Sequence, residues 1–168
     1  LYAGRLEASQ GLDDLLAAWE PTAQRWPQAR LWLAGEGPYQ AELHRQIDRR
    51  HLHGRVLLAG AFDQIDELLT AADVVVVPRR QGRGSSTVLE AMAAGVPVVA
   101  SDLPDHRHWT AGGGALLVQP GDVPALTAAL ARLLEEPDLA GELGATGRQR
   151  AESQFSLARM AQEHLQLF

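Results

Sequence analysis

Residues 74–101 read V-V-V-V-P-R-R-Q-G-R-G-S-S-T-V-L-E-A-M-A-A-G-V-P-V-V-A-S. The four valines predict a strand that is buried on both faces, and Pro78 ends it. A loop rich in Gly, Arg and Ser follows, then a helix that carries Glu90, then a second apolar strand at residues 96–100. Open parallel sheets bind ligands at the carboxyl ends of their strands, and a helix N-terminus there attracts anions. The loop at residues 79–87 is therefore the leading candidate for an anion-binding site.

Short apolar segments alternate with helical patterns along the rest of the chain. Further strands are predicted at residues 1–3, 30–34, 55–59 and 115–118. Helices are predicted at residues 11–25, where Pro21 should end or kink the helix, near Leu43, near Leu68 and from Asp122. After Pro137 we expect two more helices, with a break near residues 155–156. This alternation predicts a single α/β domain over residues 1–168, a doubly wound parallel sheet with helices on both faces.

The composition excludes several kinds of chemistry. The chain has 168 residues, a formal net charge of −6, no cysteine, and 15 basic residues that are all arginine. Without cysteine the chain has no disulfide, thiol nucleophile or cysteine-based zinc site. Without lysine it has no P-loop lysine and no Schiff base to pyridoxal phosphate. The negative charge and the scattered arginines argue against a nucleic-acid partner.

The hydropathy pattern predicts a protein without a transmembrane segment. No apolar run approaches the ~20 residues that cross a bilayer, and nothing resembles a signal peptide. One face could still contact a membrane surface. The lack of cysteine is compatible with a cytoplasmic location, which we expect. The first predicted strand begins at Leu1 without a lead-in, which suggests a piece of a longer protein.

Several polar residues at the predicted strand ends have both a structural and a functional interpretation. Thr87 and Glu90 have the spacing of a capping box, or Glu90 could accept hydrogen bonds from ligand hydroxyls such as a ribose diol. Ser85, Ser86 and Thr87 could cap the helix or bind phosphate. Arg5 could be a solvated charge or a phosphate ligand.

Other patterns predict no chemistry of their own. Gly35-x-Gly37 lacks the third glycine of a dinucleotide-binding fingerprint and is typical of a tight turn. No Asp, Glu or Cys completes a familiar metal-ligand spacing with His106 and His108 or with the histidines at positions 44, 51 and 53. We therefore expect no metal site.

Five segments occur in the order and spacing of group 1 glycosyltransferases. They are G-R-L-E at 4–7, L-A-G-E-G-P at 33–38, A-A-D-V-V-V-V-P at 71–78, S-S-T-V-L-E-A-M-A-A-G-V-P-V-V-A-S-D at 85–102 and L-L-V-Q-P-G-D at 116–122. Over essentially all of its length the chain resembles the nucleotide-sugar-binding C-terminal domain of a GT-B enzyme of the GT4 type.

The resemblance implies the donor half of a retaining, two-domain enzyme. Such an enzyme moves a sugar from a nucleotide diphosphate to a glycan, lipid or small-molecule acceptor, usually without a metal. It uses no cofactor, because the nucleotide-diphosphate sugar is its substrate. The acceptor site and the catalytically important groups of the other domain would lie outside this chain. The 168 residues alone should bind donor without turnover.

The resemblance also assigns roles to individual residues. It implies that the donor diphosphate is bound by Arg5, Gln10, Ser85, Ser86 and Thr87. It gives the ribose to Glu90. It implies a contact of Gly82, Arg83 and Gly84 with the donor sugar or phosphate. It also places four residues near the base: Gly35, Gly37, Val56 and Leu57.

The chain departs from the family pattern at three positions. Gln10 stands where the family has a lysine, Gly82 where it has the first glutamate of an E-x7-E pair, and His108 at a less regular acidic position. One hypothesis is a degenerate, non-catalytic module that binds a nucleotide or a partner. Another is that the loop arginines at 79, 80 and 83 replace the lysine at the diphosphate or receive an anionic donor sugar. They could equally be solvated charges.

Overall fold

The computed structural model describes residues 1–62 and 64–155, in which strands and helices alternate along the chain. The strands are β1 (Tyr2–Ala3), β2 (Leu31–Ala34), β3 (Val56–Gly60), β4 (Val75–Val77), β5 (Val98–Ser101) and β6 (Ala115–Val118). The helices are α1 (Leu12–Arg25), α2 (Gln40–Arg49), α3 (Ile65–Thr70), α4 (Ser86–Ala94), α5 (Pro104–Thr110), α6 (Val123–Glu135) and α7 (Pro137–Gln154).

The strands form two parallel three-stranded sheets in the orders β1-β2-β3 and β4-β5-β6. The two sheets meet where β1 runs beside β4, and there Val76 N–H donates to the carbonyl oxygen of Leu1 at 2.8 Å. Across both sheets the strand order is therefore 3-2-1-4-5-6, which has its topological switch point between β1 and β4. The predicted doubly wound α/β fold is confirmed.

Both faces of the sheets are apolar, as buried parallel strands require. Val76 and Val99 face a core cluster shared with α1, α2 and α6. Val75, Val77 and Val98 point the other way, into a cluster shared with α3, α4 and α7. Side chains alternate along a strand, so the valine run feeds both layers of helices. This two-layer burial fixes the register that brings the loops after β1 and β4 together.

Some local predictions were wrong or incomplete. Pro21 does not end the first helix, because α1 continues to Arg25. Helix α5 was not predicted, and Val96 and Pro97 precede β5 instead of starting it. Asp122 caps α6 as expected, since its Oδ1 accepts from Ala125 N–H at 2.9 Å. The predicted break near residue 155 matches the end of α7, and the helix predicted beyond it lies outside the described residues.

Among the helices of the described ranges, none combines the length and the apolar composition needed to span a bilayer.

Candidate functional site

Three loops meet at the carboxyl ends of β1, β2 and β4, and glycines let their backbones touch. A Cβ atom at Gly11 would overlap the carbonyl oxygen of Pro78, and one at Gly35 would overlap that of Gly4. Gly11 also has a φ of +74°, a left-handed conformation that glycine adopts at little cost. The three loops are thereby locked side by side around the switch point.

The N-terminus of α4 opens into the crevice between these loops. Ser85 is the N-cap residue in an extended conformation, and Ser86 and Thr87 begin the helix. The first N–H groups of a helix lack intrahelical acceptors, and those of Ser86 and Thr87 have no acceptor among the described residues, so they are available to an anion. The side chain of Thr87 has a separate role: its Oγ1 donates to the carbonyl oxygen of Ala3 at 3.2 Å, and this bond connects α4 to the end of β1.

The capping-box interpretation of Glu90 is therefore wrong. Thr87 lies inside the helix and not at its N-cap, and Ser85 makes no side-chain capping bond. Glu90 lies one turn beyond Ser86, ~6 Å along the helix axis, and is half-buried. Within residues 1–62 and 64–155 its carboxylate forms no hydrogen bond or ion pair, so it is available to a ligand.

His106 fixes the loop that leads into α4. Its Nε2 accepts from Ser85 N–H at 3.0 Å, so the proton is on Nδ1, which donates to the carbonyl oxygen of Ser101 at 2.7 Å. The neighbouring Asp105 carboxylate accepts from Gly84 N–H at 2.8 Å. The ring of His106 is fully buried. This histidine is thus a positioning residue of the crevice, a role that was not predicted from the sequence, where His106 was considered only as a metal ligand.

We expect His106 to make the stability of the fold depend on pH. Burial lowers its pKa, and the hydrogen bond to Ser101 opposes this only in part. As the pH falls through the ordinary histidine value of 6.5, the unfolded chain takes up a proton before the folded chain does. The stabilisation by neutral His106 is therefore complete above about pH 6.5 and decreases below it.

The measurement is the thermal midpoint between pH 7.5 and 5.0 for the wild type and two variants. His106→Gln keeps an acceptor for Ser85 N–H but does not titrate, so its midpoint should fall less with acid. His44→Gln, at an exposed site on α2, should keep the wild-type slope. Equal slopes in His106→Gln and the wild type would remove His106 as the cause.

Of the three loop arginines, Arg80 has a structural partner. Its guanidinium binds both oxygens of the buried Asp14 on α1, at 2.8 and 2.7 Å. The hydrogen bonds and the charge of Asp14 raise the pKa of Arg80 further above its ordinary range. The backbone N–H of Arg80 also donates to the backbone carbonyl oxygen of Ser9 at 3.3 Å. This residue anchors the loop to α1, so it is not simply a solvated charge.

The other cations at the crevice are less constrained. Arg5 is largely exposed and pairs with Glu7 at 2.6 Å. Arg83 is exposed and has no hydrogen bond or ion pair among the described residues. Arg79 is half-buried, and its Nε is shielded from solvent without a hydrogen-bond partner in the described ranges. Free positive charge is therefore concentrated directly after β4.

The remaining residues assigned to the diphosphate or sugar lie at this edge with different local roles. Gln10 is half-buried at the end of a short 3-10 turn before Gly11. Gly82 has a φ of +99° and open space on its side-chain side apart from Arg79. A Cβ at Gly84 would press on the ring of Trp109, so this glycine permits the packing of α5 against the loop.

A cavity of about 320 Å³ adjoins the crevice at the ends of β1 and β2. Its lining includes Gly4, Arg5, Gly35 and Phe62, and the Phe62 side chain is 45% exposed. Phe62 was missed because no pattern distinguishes one aromatic residue in a loop. Its exposure beside a polar crevice is the feature that marks it.

The residues expected near the base are only partly brought together. Gly35 lines the 320 Å³ cavity, whereas a Cβ at Gly37 would overlap the Leu6 carbonyl oxygen, so Gly37 mainly permits backbone packing. Val56 and Leu57 begin β3 at its amino end, away from the crevice, where Val56 is buried and Leu57 is exposed. The structure therefore does not bring these two residues to the crevice, because only the carboxyl end of β3 reaches that edge of the sheet.

A larger cavity of about 670 Å³ lies at the opposite, amino ends of the strands. Its lining is mostly apolar and includes Trp19, Trp26, Trp32 and Leu130. Helices α1, α3 and α6 end near it, and the C-terminal end of a helix carries partial negative charge. Arg25 and Arg30 also line this cavity, but Arg25 pairs with Glu135 and Arg30 donates to the carbonyl oxygens of Pro27 and Ala29. The crevice is therefore the better site for an anionic ligand, despite the larger volume here.

No group of three or more His, Cys, Asp or Glu side chains in the described part of the chain is arranged to hold a metal ion.

Comparison with known proteins identifies the family. The model of the family Glycosyl transferases group 1 matches residues 1–136. A glycogen synthase of Mycobacterium tuberculosis (strain ATCC 25618 / H37Rv) is 31% identical over 171 residues, which cover 100% of this chain and 41% of that protein. An alpha-D-kanosaminyltransferase of Streptomyces kanamyceticus is 27% identical over 94% of this chain and 42% of its own length. The chain spans about two fifths of the length of these curated relatives.

Solved structures share the fold. Anabaena Alr3699/HepE in complex with UDP and glucose superposes with a TM-score of 0.91 at 25% identity, over 99% of this chain and 46% of that chain. Sucrose-phosphate synthase from Thermosynechococcus elongatus gives a TM-score of 0.85 at 32% identity, over 99% of this chain and 44% of that chain. Sequence and fold agree: the chain belongs to the group 1 glycosyltransferases and has the Rossmann-like fold of a GT-B enzyme.

Proposed function

We propose that residues 1–168 form the donor-binding domain of a glycosyltransferase that transfers a sugar from a nucleotide-diphosphate sugar to an acceptor. The observation that carries the proposal is the crevice at the switch point between β1 and β4. There α4 begins with the N–H groups of Ser86 and Thr87, and Glu90 follows one turn later. Arg79 and Arg83, which form no ion pair among the described residues, lie in the loop before α4. Nucleotides bind to doubly wound sheets at such a crevice.

The parts of the crevice match the parts of such a donor. The helix N-terminus and Arg5 suit the diphosphate, because backbone N–H groups and a guanidinium both donate to phosphate oxygens. The carboxylate of Glu90, one turn deeper, suits the two hydroxyls of a ribose. The 320 Å³ cavity beside Gly35 suits the base. HepE, which shares this fold at 25% identity, has been crystallised with UDP and glucose.

For the reaction we propose transfer with retention of configuration and without a bound metal, as the resemblance to GT4-type enzymes implies. The acceptor and the groups that act on it belong, in this proposal, to a second domain. The relatives have more than twice the length of the matched region, which leaves room for one. The 168 residues alone should therefore bind donor without turnover.

A second candidate is a binding module without transferase activity. It is favoured by Gly82, which offers no side chain to a donor sugar, and by Gln10, which brings no charge to the diphosphate. The two functions are separated by transfer or donor hydrolysis in the full-length protein. Binding without either reaction would favour the module.

The proposal is tested by a thermal-shift screen with UDP, GDP, ADP and their sugars. A ligand at 100 times its Kd stabilises the native state by about 2.7 kcal/mol. For a domain of this size that corresponds to a rise of roughly 5–10 °C. We expect such a rise with one base and little with the others. No shift with any nucleotide at millimolar concentration would contradict donor binding.

We expect Phe62 to contribute to binding of the base. Stacking of a base on an aromatic side chain is worth about 1–3 kcal/mol, so Phe62→Ala should weaken nucleoside diphosphate binding by roughly 5- to 150-fold. Titration calorimetry measures the loss. Leu57→Ala is the matched control, because it removes an exposed apolar side chain from the far end of β3. Equal affinities of the two variants would exclude stacking on Phe62.

A further inference from the structure

Two arginines in the described ranges, Arg55 and Arg79, have a buried side-chain nitrogen without a hydrogen-bond partner, and Arg79 is the one at the crevice. It follows Pro78 at the carboxyl end of β4, and its Nε is buried without a hydrogen-bond partner among the described residues. A buried donor that makes no hydrogen bond is unfavourable, and a charged one more so. In a native structure such a group requires a partner, which can be an ordered water, an ion or a ligand.

Two carboxylates bind the loop at residues 79–87, and both bind groups other than Arg79. Asp14 binds the neighbouring Arg80 through both oxygens, and Asp105 accepts from Gly84 N–H. Residues 79–87 contain no Asp or Glu. The charge of Arg79 is therefore not neutralised by its own loop.

Gly82 leaves the guanidinium of Arg79 uncovered. A Cβ at Gly82 would lie 3.5 Å from Nη2 of Arg79, and apart from the two adjoining residues no other atom of the described residues lies within 4 Å of that position. Any larger residue at 82 would extend over the guanidinium. Its φ of +99° also disfavours other residues there. A glycine at position 82 therefore leaves this side of the Arg79 guanidinium accessible.

We propose that Arg79 binds an anionic group of the donor, an inference that rests on the proposed function. A guanidinium binds phosphate and carboxylate oxygens through paired N–H groups, so both groups fit the same chemistry. The two sources are the diphosphate of the donor and the carboxylate of an acidic donor sugar. Arg79 is then a binding residue, whereas the adjacent Arg80 is structural.

Three variants separate these roles. Arg79→Gln removes the unpaired guanidinium, so the ligand-free thermal midpoint should stay the same or rise, as for a group kept for function at the cost of stability. Arg80→Gln breaks the bidentate pair with Asp14, so its ligand-free midpoint should fall. Arg132→Gln, on the exposed side of α6, is the charge-matched remote control.

Each variant is titrated with inorganic pyrophosphate, UDP, GDP, ADP, UDP-glucose and UDP-glucuronate. We expect Arg79→Gln to lose affinity roughly tenfold or more, the usual effect of removing a hydrogen bond between charged groups. A loss shared by pyrophosphate and the nucleotides identifies the diphosphate as the group bound. A loss confined to UDP-glucuronate identifies the sugar carboxylate.

Other outcomes overturn one proposal and leave the other standing. If Arg79→Gln binds every probe as the wild type does, or lowers the ligand-free midpoint as much as Arg80→Gln, the role of Arg79 is refuted while nucleotide binding stands. If pyrophosphate binds in an Arg79-dependent way but no nucleotide binds, the proposed donor function fails and Arg79 remains an anion ligand. No binding of any probe to the wild type contradicts both.

Discussion

Gly11→Ala should lower the thermal midpoint of unfolding more than any other single glycine-to-alanine change with a comparable backbone angle. Gly11 has a φ of +74°, which an alanine adopts at a cost of about 1–2 kcal/mol. In addition, the new Cβ would overlap the carbonyl oxygen of Pro78, a backbone atom that cannot move without separating the loops after β1 and β4. We expect a total loss of roughly 3 kcal/mol or more, or about 6–12 °C in a domain of this size.

Gly121→Ala is the control that isolates the packing effect. Gly121 has a similar φ of +80°, but a Cβ there would have no atom of residues 1–62 or 64–155 within 4 Å beyond its two chain neighbours. Its midpoint should therefore fall by the conformational cost alone. Thermal unfolding followed by circular dichroism measures both variants. Equal losses would show that the contact between Gly11 and Pro78 is not tight in solution.

Glu90→Ala should abolish most of the nucleotide affinity and leave the fold intact. The side chain is half-buried and its carboxylate has no partner among the described residues, so its removal breaks no hydrogen bond or ion pair of the ligand-free protein. Hydrogen bonds to a charged acceptor are worth about 1.5–3 kcal/mol, which predicts a loss of roughly 10- to 150-fold for a nucleoside diphosphate. Titration calorimetry measures the affinity, and an unchanged thermal midpoint shows that the variant folds.

The role of Glu90 is tested specifically by changing the ligand as well. Dideoxyribose analogues lack the hydroxyls that Glu90 should bind, so they should bind weakly to the wild type and no more weakly to Glu90→Ala. In a double-mutant cycle the two changes should therefore be strongly non-additive. Pyrophosphate has no ribose, and its affinity should be nearly unchanged. Additive losses would show that Glu90 acts elsewhere than at the ribose.

Much of the fold is predictable because its signals are local. The valine run at residues 74–77 and the glycines and prolines between segments mark strands and helices without reference to distant residues. Pro21 does not end α1 because a proline removes only one helical hydrogen bond. The buried Leu15, Leu16 and Trp19 hold that helix in place. Helix α5 is short and polar, so its sequence has no apolar periodicity to detect.

The candidate site is less predictable, because its support comes from pairs far apart in sequence. The location of the loop at residues 79–87 follows from the βαβ pattern alone. The bond between His106 and Ser85 and the pair of Arg80 with Asp14 depend on how the loops after β1, β4 and β5 approach one another. Neither an arginine nor a histidine in the sequence indicates by itself which distant residue it will contact. Only the position of His106, shortly after a strand at the crevice edge, could have directed attention to it.

The most direct test of the central claim is amide chemical-shift mapping of the ¹⁵N-labelled chain during titration with UDP, GDP and ADP. The account predicts that one nucleotide shifts the amides of Gly4, Gly35, Ser86 and Thr87, which border the crevice between β1 and β4. Perturbations centred instead on Trp26 and Trp32, at the apolar cavity on the opposite ends of the strands, would contradict it.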